Sequence, residues 1–344
     1  MLSYMLLPDY YPDLVELIRS AGWLMHNFSA PDVDIYNAVD FQQNRQIEGV
    51  KYQVILDMNI MQYLLDVVRK PSSTKLSKIA SAYLAFFQIA DIQLDPTYAT
   101  YEKISYCDDR ADEAISNLEQ FRGIDNYDLD GLAGYALGYA QQLKVAPKVS
   151  ENREELKGRL LQYRRLTDWD SLYLCILSIT NIAMDPSIPR SQKLCVFAEW
   201  CAREFRFSLP ALVYAAVLFG RAPAKKMMKY KVSEKRQAKR SSLYNMTWDF
   251  YYFDRYMKSW VSKNESTEIL LLTADGALRL TMQLAVKCQL AGGLDPLRFH
   301  VGDQIQEIDK IYACRNAAKR AYKSKEWNYN YREKLISEYE VKLL

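Results

Sequence analysis

Two short apolar runs, far apart in the chain, most constrain what this sequence can fold into. Residues 54–56 lead into Asp57, and residues 269–274 lead into Asp275. Each run has the length and bulk of a strand that is buried on both faces, and each passes into a helical pattern after its aspartate. The sequence therefore predicts an α/β fold with an open parallel sheet flanked by helices. Because ligands of such sheets bind at the carboxyl ends of the strands, Asp57 and Asp275 are expected to meet there if the two strands are neighbours.

An aspartate directly before a helix also has a simpler use. Its side chain accepts hydrogen bonds from the unpaired amides of the first helical turn, and this is the more common role of a single aspartate at such a position. Two aspartates in one apolar crevice are a different case from a single capping aspartate. Their carboxylates repel each other and lose hydration, and a cation between them offsets both costs. Capping and cation binding therefore both remain open for Asp57 and Asp275.

Further acidic residues follow the same pattern. Residues 92–95 predict a third strand, and the helix after it carries Glu102. Asp249 lies in a mostly apolar and aromatic helical stretch that leads into the last strand, where a charge without a partner is costly. Asp254 and Asp130 are the alternatives to Asp249 as the fourth acid.

These acids together resemble the PIN-domain (PIN-like) metal-dependent nucleases. That family places a D-x-N or D-x-S motif at one strand end, a glutamate on a following helix, an aspartate on a later helix, and a T-x-D or S-x-D motif at another strand end. The matching residues here, in the same order, are Asp57-Met58-Asn59, Glu102, Asp249 and Thr273-Ala274-Asp275. The likeness covers about half of the chain, residues 51 to about 110 and about 240 to 305. The long separation of Glu102 from Asp249 departs from a compact family member, and an inserted domain would explain it.

The resemblance implies an endoribonuclease that cleaves RNA, single-stranded RNA in particular, with a carboxylate-bound Mg²⁺ or Mn²⁺. Carboxylate oxygens select such hard cations, which lower the pKa of a bound water and neutralise charge on the phosphate. Asn59 and Thr273 would be donors that hold the carboxylates in place. The predicted catalytic residues and metal ligands, direct or through water, are Asp57, Glu102, Asp249 and Asp275.

Two biological settings are compatible with this interpretation. One is a toxin or defence nuclease that is held inactive by the insertion or by an inhibitory or regulatory protein partner. The alternative is a non-catalytic PIN-like scaffold with an incomplete acidic cluster, which binds RNA or a protein through its helical insertion and basic segments. Saturable binding of Mg²⁺ or Mn²⁺ is expected of the nuclease and not of the scaffold.

Positive charge is concentrated in residues 221–240, where Glu234 is the one acid. Such a run can neutralise phosphates and lead a substrate toward the Asp249 helix, and a solvated linker helix is the equal alternative. A weaker basic and aromatic stretch within residues 311–344 suits single-stranded nucleic acid, or a helix that docks on the core through its rings. The residues predicted to bind nucleic acid are Lys225, Lys226, Lys229, Lys231, Lys235, Arg236, Lys239 and Arg240.

Several other chemistries lack their motifs in this sequence. The chain has 2 His and neither a P-loop nor a dinucleotide-binding glycine motif, which excludes histidine-pair nuclease mechanisms and nucleotide hydrolysis. Its six cysteines form no C-x-x-C pair, and several lie in apolar helical runs where they are expected to fill the core. Without a signal peptide or an apolar run of about 20 residues, the sequence predicts a cytoplasmic protein with no membrane contact.

Composition and periodicity divide the chain into five parts. These are an N-terminal extension at 1–50, the first half of the PIN-like domain at 51–125, an all-helical insertion at 126–235, the second half at 236–310 and a basic, aromatic C-terminal helix at 311–344. The apolar helices of the insertion are expected to be buried core, with a homodimer surface as the alternative. Aromatic residues spaced four apart between 244 and 260 likewise predict a core-facing side of a helix, with Tyr244 or Tyr256 left to stack a base.

Overall fold

The fold is that of a computed structural model. The structure describes residues 6–26, 33–104, 110–143, 152–162, 168–205, 208–221, 224, 226–261, 266–313 and 328–344. Within these residues most of the chain is helical and one small sheet is present, which confirms the α/β class. The chain divides into two compact units, Met1–Arg164 with Lys258–Asp275 (unit 1) and Arg165–Met257 with Gly276–Leu344 (unit 2).

Unit 1 contains the sheet. Its strands are β1 (Leu24–Met25), β2 (Lys51–Leu56), β3 (Gln93–Asp95) and β4 (Thr267–Leu272), in the order β1-β4-β2-β3. β2 lies between β4 and β3 and is parallel to both. The two strands that carry the aspartates are therefore neighbours, which fulfils the condition that the sequence left open. β1 pairs with β4 in the antiparallel direction. The sheet is therefore mixed, and the prediction of a wholly parallel sheet is wrong at this edge.

The N-terminal residues form part of this sheet and its core. β1 has only two residues, too few for an alternating pattern, which explains why the sequence does not predict it. The carbonyl of Trp23 accepts a hydrogen bond from the amide of Thr273 at 3.1 Å, and the amide of Trp23 donates to the Tyr83 hydroxyl at 2.8 Å. Residues 1–50 are thus not a separate extension, because their described part supplies an edge strand.

The helices of unit 1 surround the sheet and one central helix. They are α1 (Tyr11–Ala21), α2 (Ala38–Glu48), α3 (Met58–Arg69), α4 (Lys75–Ala90), α5 (Thr97–Ile104), α6 (Ala111–Asp125), α7 (Leu129–Leu137) and α8 (Arg153–Gln162). α4 is apolar on nearly all sides and is buried by α1, α2, α3 and α7. It begins with a capping box, in which Thr74 and Ser77 exchange side-chain and backbone hydrogen bonds.

The two units divide the chain differently from the predicted insertion. The sequence assigns residues 126–235 to one helical insertion, and its described residues contain helices and no strand. However, α7 packs against α4 and α8 packs against α6, so both helices belong to unit 1. Spatial contacts therefore place the boundary near residue 165, where the sequence shows no change of periodicity.

Unit 2 is helical within the described residues. Its helices are α9 (Trp169–Met184), α10 (Lys193–Arg203), α11 (Leu209–Phe219), α12 (Arg236–Val261, in this unit up to Met257), α13 (Gly276–Leu290), α14 (Arg298–Val301), α15 (Gln304–Ala313) and α16 (Tyr329–Leu343). Trp248, Tyr252 and Tyr256 of α12 are buried, which confirms the core-facing aromatic side. Tyr256 is 0% exposed, so the expectation that it could stack a base is wrong.

The described cysteines are buried thiols. Cys175, Cys195, Cys201 and Cys288 are all free, whereas Cys107 and Cys314 lie outside the described residues. Burial raises the pKa of the Cys195 and Cys288 thiols to about 12, so both are neutral at physiological pH. This confirms for the described cysteines that they fill the core.

Candidate active site

The carboxyl ends of β2 and β4 lie side by side and join the two predicted motifs. Leu56 is paired with Leu272, and the amide of Asp57 donates to the Leu272 carbonyl at 3.1 Å. One residue further, the Thr273 hydroxyl donates to Asp57 Oδ2 at 2.7 Å. The same hydroxyl oxygen accepts a hydrogen bond from the Asp275 amide at 3.1 Å. A single threonine side chain thus connects the D-x-N motif to the T-x-D motif.

Asp57 also caps a helix. Its Oδ1 accepts a hydrogen bond from the amide of Asn59 at 3.2 Å, which satisfies one of the unpaired donors at the start of α3. The hydrogen bond from Asn59 thus comes from its backbone amide, and residue 59 is itself exposed. The expected donors Asn59 and Thr273 therefore both contact Asp57, and the capping role is present as well.

The electrostatic surroundings of Asp57 disfavour its ionised form. Asp57 is 6% exposed, and this burial raises the pKa of its carboxyl above the ordinary value. The hydrogen bonds from Thr273 and Asn59 lower the pKa, and the nearby charge of Asp275 raises it. In the described part of the chain no lysine or arginine forms an ion pair with Asp57. A cation bound here would offset the cost of burying this carboxylate.

Glu102 lies near the sheet but does not complete a cluster. It is half-buried on α5, a helix that packs against β2 and α3. Among the residues that the structure describes, no three histidine, cysteine, aspartate or glutamate side chains come close enough together to hold a metal ion. The acids that the structure does bring together at the strand ends are Asp57, which is buried, and Asp275, which is half-buried.

Asp249 has a different environment from Asp57. It lies on α12 in unit 2, and its Oδ2 is 2.5 Å from Lys229 Nζ. This ion pair compensates the carboxylate without a metal ion. The alternative Asp254 is 3% exposed and lies 3.7 Å from Arg255 Nη2, while the alternative Asp130 is exposed and accepts a hydrogen bond from the Tyr10 hydroxyl.

Only some of the basic residues predicted to bind nucleic acid are exposed, and several of them form ion pairs. Lys229 pairs with Asp249, Lys231 with Glu234 and Arg240 with Glu340. Lys239 lies over the ring of Tyr230 at 5.7 Å from its centroid. The exposed members of the described set are Lys226, Lys231, Lys235 and Arg236, and Lys225 lies outside the described residues.

The C-terminal aromatic helix docks on the core of unit 2. α16 packs against α9, where the Tyr173 hydroxyl donates to Glu340 at 2.7 Å. The Tyr230 hydroxyl donates to the Leu343 carbonyl at 2.6 Å. The helix α16 is therefore docked, but these contacts are made by Glu340 and Leu343, and Tyr329, one of the rings predicted to dock it, is 54% exposed. Trp327 and the basic residues before it lie outside the described residues.

Sequence reasoning missed two residues beside the strand ends. The Trp23 carbonyl fixes the Thr273 backbone, and the Trp23 ring lies 5.9 Å from the Tyr63 ring. This ring contact places Tyr63 near the site, and burial first, then the charges of Asp57 and Asp66, raise the pKa of its phenol. Neither residue had a sequence signal, because a tryptophan in a loop and a tyrosine on a helix are ordinary core residues.

Comparisons with known proteins identify no relative. No model of a known protein family matches this chain, and no curated protein and no solved structure matches it either. Within the described residues, no helix has both the length and the apolar character needed to cross a lipid bilayer.

Proposed function

We propose that this chain is a PIN-like, metal-dependent endoribonuclease whose metal ion is held by Asp57 and Asp275. The observation that carries this proposal is the hydrogen-bonded connection of Asp57, Thr273 and Asp275 at the carboxyl ends of two adjacent parallel strands. Strand ends of this kind are where open α/β sheets bind their ligands. Single-stranded RNA is the substrate that the resemblance to PIN-like nucleases implies.

The donor set fits Mg²⁺ or Mn²⁺. Both cations prefer carboxylate oxygens, and Mg²⁺ commonly binds through one or two protein carboxylates while retaining several waters. A bound ion would supply acidification of a water molecule and charge neutralisation at the phosphate. Thr273 and Asn59 hold the Asp57 oxygens in one orientation by hydrogen bonds, as residues around metal ligands do. We also assign Glu102, in unit 1, to the site, as a carboxylate that would contact the metal ion through a bound water.

A cleavage assay with a matched control tests this proposal. Asp128 is a suitable control, because its Oδ1 caps α7 by accepting a hydrogen bond from the Gly131 amide at 2.7 Å, with no second carboxylate role assigned to it. We expect the wild-type chain to cleave single-stranded RNA only with Mg²⁺ or Mn²⁺. Asp57→Asn should lower the rate by about a thousandfold or more, and Asp128→Asn should leave it within about twofold.

The assay can also contradict the proposal. Cleavage that survives in Asp57→Asn, or cleavage that does not depend on a divalent ion, would exclude the assigned site. The melting temperature of each variant is measured alongside the rate. A large loss of stability in Asp57→Asn would mean that its lower rate reflects unfolding and not the loss of a metal ligand.

Two observations favour the second candidate function, a non-catalytic PIN-like scaffold. No three potential ligands form a metal-binding group within the described residues, and Asp57 already serves as a helix cap. Calorimetric titration of the chain with Mn²⁺ distinguishes the two functions. If the chain is a nuclease, Mn²⁺ should bind saturably and Asp57→Asn should abolish this binding. If the chain is a scaffold, we expect no saturable binding of Mn²⁺.

A further inference from the structure

A cavity in unit 2 has no part in the proposed nuclease site. It has a volume of about 370 Å³ and lies between a short 3₁₀ helix (Arg190–Gln192), the end of α11, the helix α14 and the start of α15. All of these segments belong to unit 2. The volume falls at the lower end of the range for small-molecule sites, which begins at about 300 Å³.

The charged residues that line this cavity are all cationic. They are Arg190 and Arg221, both on the exposed surface, and no aspartate or glutamate is among the lining residues. In the described part of the chain, neither guanidinium has a carboxylate within 4.0 Å. Gln304 adds a neutral polar group, and Leu194 and Phe219 add apolar surface. A ligand of this cavity would therefore combine negative charge with an apolar part.

Arg190 is held in place by the end of α11. Its Nη2 donates to the Gly220 carbonyl at 3.0 Å, and its Nε donates to the Phe219 carbonyl at 3.4 Å. Carbonyls at the end of a helix have no hydrogen-bond partner within it. The two contacts therefore supply donors to these carbonyls and acceptors to two N–H groups of Arg190. A guanidinium has five N–H donors, and this arrangement leaves three of them for another acceptor. Because the side chain is already ordered, binding through it costs less conformational entropy.

Arg221 is positioned by two glycines. The Arg221 amide donates to the His300 carbonyl at 2.9 Å, and a Cβ on Gly220 would lie only 2.8 Å from that same carbonyl oxygen. Gly302 has φ 59° and ψ −135°, a region that is essentially restricted to glycine. A Cβ on Gly302 would also collide with the Arg221 guanidinium. The backbone beside the cavity therefore requires glycine at both positions to bring Arg221 and His300 together.

His300 gives a second indication of a binding site. It is 6% exposed, and its Nδ1 has no hydrogen-bond partner among the described residues. Burial lowers the pKa of the imidazole, so the ring is neutral at physiological pH. A buried polar atom without a partner is costly, and this one belongs to a residue that lines the cavity.

We infer that this cavity binds a small organic anion, whose carboxylate or phosphate group pairs with Arg190 and Arg221 and whose apolar part packs against Leu194 and Phe219. Guanidinium groups form two parallel hydrogen bonds with such oxyanions, which gives both geometry and affinity. The volume accommodates a single ring with its anionic group. This inference does not depend on the nuclease proposal, because it uses no residue of unit 1.

Calorimetry on the full chain in metal-free buffer tests the ligand class. The probes are phenyl phosphate and phenylacetate, with benzyl alcohol as the neutral molecule of similar shape. We expect saturable binding of at least one anion and binding of benzyl alcohol that is about tenfold weaker or more. The relative affinities of the two anions distinguish a phosphate ligand from a carboxylate ligand.

Three variants test the location of the site. Arg221→Leu should weaken anion binding about tenfold or more, and Ser191→Phe, at an exposed lining position, should block the cavity for both anions. Arg203→Gln is the control, because it removes the same charge from a side chain that is 73% exposed and lies elsewhere on unit 2. We expect its affinity to stay within about twofold of the wild type.

The inference would be overturned if the wild-type chain bound neither anion saturably. It would also be overturned if Ser191→Phe bound the anions as the wild type does. Circular dichroism and melting temperature establish that each variant is folded. If Arg221→Leu does not fold, Ser191→Phe still decides the outcome.

Discussion

Asp57 and Asp249 look alike in the sequence but have opposite surroundings in the structure. Both aspartates lie in apolar stretches, and both were predicted to be metal ligands. In unit 1, Asp57 is buried among neutral donors and a second carboxylate, and its pKa is raised. In unit 2, Asp249 lies 2.5 Å from the Lys229 ammonium group. An aspartate in an apolar stretch can therefore be compensated by a lysine of the protein itself, as Asp249 is, so its position alone does not distinguish a metal ligand from an ion-pair partner.

After Asp57→Asn, the largest expected effect is the difference between substitutions of Asp275 and of Asp249. Asp275→Asn removes one of two adjacent anionic groups, so we expect metal-dependent RNA cleavage to fall by about a hundredfold or more. Asp249→Asn removes a carboxylate that Lys229 already compensates, so cleavage should stay within about threefold. The two rates are measured at saturating Mn²⁺ on variants with wild-type circular dichroism. Equal losses in both variants would remove the distinction between the two aspartates.

Thr273 should matter through the metal affinity. Thr273→Val has nearly the same shape but removes the hydroxyl that donates to Asp57 and accepts from the Asp275 amide. We expect Mn²⁺ affinity to fall about 10- to 100-fold, measured by calorimetry. The control is Thr100→Val, because Thr100 is 2% exposed and its hydroxyl donates to the carbonyl of Pro96, the residue before α5 of the same unit. A similar loss of affinity in both variants would mean that Thr273 acts only on stability.

The pH dependence of stability should have opposite signs at two aspartates of unit 1. The pKa of Asp57 is raised in the folded chain, so its contribution to stability is complete below the unfolded pKa near 3.8 and is lost as the pH rises through the folded pKa. Without divalent ions, Asp57→Asn should therefore become more stable relative to the wild type as the pH rises from 4 toward 8. Melting temperatures measured over this range give the difference.

Asp112 provides the control of opposite sign. A hydrogen bond from Lys157 lowers the pKa of Asp112, so its contribution is present above the unfolded pKa and is lost as the pH falls through the folded pKa. Asp112→Asn should become less stable relative to the wild type as the pH rises, by a small amount because the carboxylate is exposed to solvent. A curve for Asp57→Asn that follows the Asp112→Asn curve would show that Asp57 is stabilised as an anion.

The smallest expected effect concerns the ion pair in unit 2. Asp249 and Lys229 are 25% and 32% exposed, so solvent screens their attraction. A double-mutant cycle with Asp249→Asn and Lys229→Met should give a coupling free energy of unfolding of about 1 kcal/mol or less. Chemical denaturation measures the four stabilities. A coupling well above 1 kcal/mol would contradict the view that solvent screens this ion pair.

The sequence predicts the strand ends well because their signals are local. The runs before Asp57 and Thr273 are long enough and apolar enough to be read as buried strands, and an aspartate followed by a helical pattern marks where β2 ends. The adjacency of β2 and β4 then places Thr273 beside Asp57. The sequence predicts the two strand ends, whereas the pairing of β2 with β4 that brings them together is known only from the structure.

The remaining features depend on contacts between distant residues. β1 has two residues and is defined by its pairing with β4, so no periodic pattern reveals it. The assignment of α7 and α8 to unit 1 follows from packing on α4 and α6, which a change in composition does not mark. The ion pair of Asp249 with Lys229 joins residues twenty positions apart across a turn-rich segment, so the sequence cannot distinguish it from a set of unpaired charges.

Anomalous diffraction from crystals soaked in Mn²⁺ tests the central claim most directly. The account predicts one strong Mn²⁺ peak in contact with carboxylate oxygens of both Asp57 and Asp275, and no peak at Asp249. It also predicts that the peak disappears in crystals of Asp57→Asn. A Mn²⁺ ion bound at Asp249 with the strand ends empty, or no bound ion at all, would contradict the account.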